Sequence, residues 1–135
     1  MSGRILDRYA SRENGKGVVD DENEGLIEDF GSFGFLRGSR ERAAMLQLTK
    51  KGGNILAISY GYVDKAEFDP SEGITLHHAG QKIRIMGRNL NVDVPAKVRL
   101  FDAICRHRVP WLREANEADQ MTASENNPII ESIEW

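Results

Sequence analysis

Three histidines and one cysteine are the side chains best suited to metal ligation or nucleophilic chemistry, and their spacing argues against both. His77 and His78 are adjacent in a run that reads as a strand, so they point to opposite faces and do not easily share one ion. Cys105 and His107 stand two apart in a run that reads as a helix, which separates them as well. Cys105 falls on the apolar side of that helix and reads as a packed, inert thiol. The run DDENEG over 20–25 imitates the start of a calcium loop. Its twelfth position is Gly31, where a bidentate glutamate is required. Neither GKG over 15–17 nor Gly31, Gly34 and Gly38 have the spacing of a phosphate-cradling loop. Glu67 and Asp69 fall on a strand edge and a turn, where carboxylates are ordinarily solvated. These residues give no expectation of a metal, a cofactor, a small-molecule ligand or a catalytic residue.

Charge is more informative. Residues 1–30 hold four basic and eight acidic side chains, residues 31–115 fourteen and eight, and residues 116–135 none and five. A basic middle therefore lies between two acidic ends, behind a net charge of only −3. Within the middle, His77, Lys82, Arg84 and Arg88 project opposite to Ile74, Leu76, Ile83 and Ile85. If 73–78 and 82–88 form a hairpin, they share one surface with Thr75. Arg37, Arg40 and Arg42 are placed to extend it. Such a face suits phosphates or an acidic protein partner. Few aromatics interleave with it, which weakens the case for stacking on single strands.

The last eight residues, PIIESIEW, follow a polar spacer. Ile129, Ile130, Ile133 and Trp135 are costly to leave in water, at about 1.5–3 kcal/mol for each large apolar side chain. The segment is expected to dock, either on a sheet edge of its own chain or on a partner.

The elements that position these groups follow from periodicity. Alternation of period two marks strands at 44–49, 54–63, 65–68, 73–78 and 82–88. They are joined by a KKGGN hairpin loop, a DPSEG turn and a turn at Gly80. Residues 25–38, rich in phenylalanine, read as an entry strand or an extended segment on the core. After Pro95, Val98, Phe101 and Cys105 recur at helical spacing with Leu100 and Ile104 beside them, predicting an amphipathic helix over 96–107 that Pro110 ends. Asp93 stands ready at its positive end and Arg106, His107 and Arg108 at its negative end. Trp111 and Leu112 should pack back on the sheet. Residues 3–11 suit a short helix, 12–24 read as flexible, and 113–127 read as polar and mobile. There is no internal repeat.

At 135 residues the chain suits one domain. A single cysteine excludes an internal disulfide framework and points by default to a reducing, cytoplasmic setting. No apolar run reaches the length of a membrane span, and the first residues do not read as a secretory signal. The expected architecture is α+β. An antiparallel β-meander of four or five strands forms a partly open small barrel, capped by one C-terminal amphipathic helix. A flexible acidic segment (1–24) precedes the domain (25–112), and a flexible acidic tail (113–135) ends in the apolar docking segment. The expected function is that of a small non-enzymatic protein-interaction module, an adaptor or accessory. It would contact a protein partner or a second copy of itself through the β-platform and segments 25–36 and 128–135. The alternatives are a nucleic-acid-binding accessory protein using the basic strand face and an enzyme of unknown type.

Overall fold

The computed structural model describes residues 27–38, 40–94, 97–122 and 126–135. The expected acidic segment 1–24, its helix over 3–11 and the calcium-like run 20–25 lie outside them. The described elements are, in order, β1 (Ile27–Asp29), β2 (Gly34–Leu36), β3 (Met45–Thr49), β4 (Ile55–Ser59), β5 (Val63–Asp69), β6 (Gly73–His78), β7 (Gln81–Arg88), α1 (Leu100–Cys105), β8 (Trp111–Arg113), α2 (Glu117–Thr122) and β9 (Ile129–Glu134). The fold is β-rich α+β, mostly antiparallel.

Alternation accounts for the central strands. Leu46 and Leu48 of β3 are fully buried while Met45 before them and Gln47 between them are exposed. Across the hairpin they face Ile58 and Leu56 of β4. A short 3-10 turn, Tyr60–Tyr62, then leads into β5. Strands β5, β6 and β7 form part of the expected meander, in which Ile74 pairs with Ile85 and Leu76 with Ile83, all four fully buried, whereas β3 and β4, expected in the same meander, belong to a separate sheet. The β5–β6 turn is closed by Asp69, whose carboxylate accepts from the Ser71 amide at 2.8 Å and the Ser71 hydroxyl at 2.7 Å. These bonds hold the Asp69 carboxyl below its usual pKa. Gly73 leaves that turn at φ +95°, and a Cβ there would lie 2.2 Å from the Ile85 carbonyl oxygen. Glycine is needed there on both counts.

Four further strands lie outside the expected meander. The entry segment 25–38 becomes, within its described part, the β1–β2 ribbon, in which Ile27 faces Leu36. β8 pairs in parallel with β3, Leu112 beside Leu48. β9 pairs antiparallel with β7, interrupted by a bulge after Met86. The resulting sheets have the orders β1-β2, β4-β3-β8 and β5-β6-β7-β9, and among the described residues no pairing closes them into a barrel. Backbone hydrogen bonds, some through flanking segments, help to join them. Leu36 N donates to Arg108 O at 2.8 Å, Arg113 N to Ser32 O at 3.0 Å, and Ala115 N to Ile130 O at 2.8 Å. One core unites Phe33, Leu46, Ile74, Ile85, Leu112 and Ile130.

The helix is shorter than expected. Lys97 has φ +63°, and Val94 and Val98 form a bridge around it, so right-handed helix cannot begin before that point. His107, at φ +59°, ends it. The inward stripe is therefore Leu100, Ala103 and Ile104, with Phe101 half-buried and Cys105 exposed. Asp93 does not cap the helix. It pairs with Arg99, and no side chain caps the N-terminus of α1. Residues 113–127, expected as polar and mobile, contain the end of β8 and α2, and the expected docking segment 128–135 contains β9. Among the described residues no helix is long and apolar enough to cross a membrane.

Candidate functional site

The β6–β7 hairpin does bring the expected side chains to one face, with Thr75 opposite Arg84 and His77 opposite Lys82. The neighbouring strands change its charge, however. Lys65 and Glu67 of β5 lie opposite His77 and Thr75, and Glu134 of β9 lies opposite Arg84. Glu67 Oε1 sits 2.9 Å from His77 Nε2, and Lys65 Nζ is 3.8 Å from its other oxygen. The His77 hydrogen bond, then the Lys65 charge, holds the Glu67 carboxyl below its usual pKa. Arg84 reaches Glu72 at 3.4 Å. The face carries mixed charge rather than a basic field. Arg88 is exposed at its end, across from Ile129.

Arg37, Arg40 and Arg42 are placed elsewhere. Arg40 is exposed in the β2–β3 connection, and Arg42 lines a hollow with Ile27, Met45 and Pro110. Arg37 lines a shallow cleft of about 420 Å³ between β2 and α1, together with Lys97, Arg99, Arg106 and Arg108. This cleft is the strongest cationic feature of the described chain. Arg99 Nε is 2.6 Å from Asp93 Oδ1, which raises the Arg99 pKa further. Arg106 Nε is 3.3 Å from Asp102 Oδ2, and Arg37 is bonded to Glu28. Arg108 donates to the Leu36 carbonyl at 3.0 Å and lies over the Phe35 ring at 5.8 Å. Lys97 is exposed and joins no ion pair among the described residues. Among the described residues, five cations and three carboxylates thus meet around this cleft, and the guanidinium groups suit an incoming carboxylate.

The sequence places Arg106 and Arg108 at the helix terminus and gives Lys97 and Arg99 no role. The usable signal was local density, with four basic residues and one acidic between 97 and 108.

The remaining reactive side chains do not assemble a centre. His78 Nε2 is buried without a partner, its ring set edge-on to Tyr62 at 6.1 Å. His107 stacks on Tyr60 at 4.5 Å. Cys105, expected to be packed, is at the surface because the helix phase differs. Partial burial, then the Asp102 charge, pushes its thiol pKa up, so little thiolate is present near neutrality. Among the described residues no three His, Cys, Asp or Glu side chains converge as ligands would.

The C-terminal side chains go to the chain's own sheet. Ile129, Ile130 and Ile133 are buried there, and Trp135 is 37% exposed beneath Lys50, whose Nζ is 4.1 Å from the ring centroid. Of the two dockings open to PIIESIEW, the structure has the one in cis. No protein-family model matches the chain, and neither does a curated protein or a solved structure.

Proposed function

We propose that this protein is a non-enzymatic binding module whose β2–α1 cleft takes an acidic segment of a protein partner. The observation that carries this reading is the convergence of Arg37, Lys97, Arg99, Arg106 and Arg108 on one concave surface. Lys97 adds to it. A lysine at positive φ costs of order 1 kcal/mol or more, and the Val94–Val98 bridge holds it there with its ammonium exposed. An acidic peptide suits the cleft better than single-stranded nucleic acid. Phe35 is the cleft's one aromatic ring near the β2 wall and Arg108 already lies over it, so no stacking platform is open. The sheets are read as a partly open barrel wrapped round a single core, in a cytoplasmic setting.

The test is fluorescence anisotropy of a labelled Asp/Glu-rich peptide and a labelled single-stranded oligonucleotide of equal charge, titrated with full-length protein across a salt series. The peptide should bind more tightly, with affinity falling as salt rises. Lys97→Glu and Arg106→Glu should each weaken it about tenfold or more, because a rim attraction becomes a repulsion. Lys82→Glu on the strand face should leave it unchanged. Tighter binding of the oligonucleotide favours a phosphate-binding role, and an equal loss from Lys82→Glu moves the site to the strand face. Absence of peptide binding at low salt overturns the proposal.

A further inference from the structure

A second, smaller pocket of about 190 Å³ lies where the β1–β2 turn, the end of β8, α2 and the start of β9 meet. It is separate from the cationic cleft and its chemistry differs. Ser32 lines it and is 8% exposed, and the Ser32 hydroxyl is buried without a hydrogen-bond partner. An unpartnered buried hydroxyl is costly, and native structures retain few of them. Arg113 lines the same pocket. Its Nε donates to Gly31 O at 2.6 Å, and its two terminal nitrogens have no bond among the described residues. Asp119 lines it from α2. One of its oxygens accepts from the Asn116 amide at 3.1 Å, and the other has no bond among the described residues. Arg113 and Asp119 form no ion pair with each other, although both line this one small space. The apolar part of the wall includes Phe30 and Ile129.

A cation and an anion that share a pocket without pairing, beside a buried hydroxyl with no partner, match a ligand carrying both charges. We infer that this pocket binds a small zwitterion of the free α-amino-acid class. The carboxylate is held by Arg113 and Ser32, the ammonium by Asp119, and an aliphatic side chain rests against Phe30 and Ile129. The volume limits the occupant. It corresponds to about six waters at roughly 30 Å³ each, below the size of drug-like sites. The inference does not depend on the peptide-binding reading, and either can fail alone.

The experiment is isothermal titration of the full chain with L-leucine, with 4-methylpentanoate, which lacks the ammonium, and with 3-methylbutylamine, which lacks the carboxylate. A panel of the other common amino acids follows under the same conditions. Leucine or another apolar amino acid should bind, and for leucine each one-charge analogue should be weaker by about tenfold or more, the effect of losing a charge-assisted hydrogen bond. Ser32→Ala should weaken binding without lowering the melting temperature, because it removes a hydroxyl that bonds nothing in the free protein. Asp119→Asn should bring the affinity for leucine close to that for 4-methylpentanoate. No binding by any amino acid at millimolar concentration overturns the inference. Equal binding of leucine and 4-methylpentanoate overturns it by removing the ammonium site. Unchanged affinity in both variants overturns it by placing the ligand elsewhere.

Discussion

The Glu114 carboxylate accepts the Ile133 amide at 2.6 Å, and its other oxygen accepts the Lys51 amide at 2.8 Å. One side chain leaving β8 therefore fastens both the β3–β4 hairpin loop and strand β9. The two amides belong to the loop of one sheet and the edge strand of another, and Glu114 joins them beside the bond from Ala115 N to Ile130 O.

Removing this link should loosen β9 first. Glu114→Ala leaves the two amides without an acceptor and should cost about 1–3 kcal/mol, more if both lose access to water. Urea unfolding gives the global cost. Amide exchange at Ile133 should rise more than exchange at Ile74. Equal changes at both positions would mean that Glu114 does not act locally on β9.

The terminal strand supplies core as well as hydrogen bonds. Ile130 is fully buried, so Ile130→Ala should cost about 2–5 kcal/mol. Deletion of 128–135 should remove more than that and leave β7 with a bare edge. A deletion that melts like the parent would show the segment to be an appendage.

Gly34 lies under the Trp111 indole, where a Cβ would come within 2.5 Å of Nε1. Gly34→Ala should displace the ring at about 1–3 kcal/mol. Near-ultraviolet circular dichroism should report the altered indole environment together with a lower melting temperature. An unchanged spectrum and melt would contradict this packing.

Tyr60 provides a pH test. Its hydroxyl donates to the Val109 carbonyl at 2.7 Å, and burial raises its pKa well above the usual tyrosine value of 10.0. The folded state thus holds this proton more tightly than the unfolded chain does. Its contribution to stability is complete below pH 10 and is lost progressively as pH climbs through the alkaline range. Tyr60→Phe should cost about 1–3 kcal/mol at neutral pH by leaving a buried carbonyl unpaired, and should flatten the alkaline decline. An alkaline limb as steep as the parent's would assign the effect to another group.

Legibility tracked burial. The strands β3, β4, β6 and β7 are buried on one face, and a buried face imposes the alternation from which they were read. The helix was misplaced because a period of 3.6 extends through Lys97, and nothing about a lysine announces a left-handed backbone. The same error sent Cys105 inward. α2 buries no side chain, so it has no apolar period to detect. β8 is three residues long, and its parallel partner is unreadable from local pattern. β9 could be read as a strand, but its own sheet and a partner's edge were equally open to it. Of the cleft's cations, only Arg37 stands among the anion-binding residues read from the sequence. It lies more than fifty positions from Lys97 in sequence, and only the folded chain brings β2 beside α1.

The parallel union of β3 with β8, and the bridge from Phe33 to Leu112, set the order in which this chain can assemble. Hairpins β5–β6 and β6–β7 join near neighbours and form on the scale of microseconds. The bond from Arg108 to Leu36 spans 72 residues, and that from Arg113 to Gly31 spans 82. Loop entropy must be overcome before any of these distant contacts stabilises the chain, so they should mature last, on a scale of about milliseconds to seconds. Until then β3 has only β4 beside it, and its other edge is open to any strand in solution. Refolding at rising protein concentration should therefore lose yield to association through this edge, a kinetic hazard that the finished molecule closes with the three residues of β8.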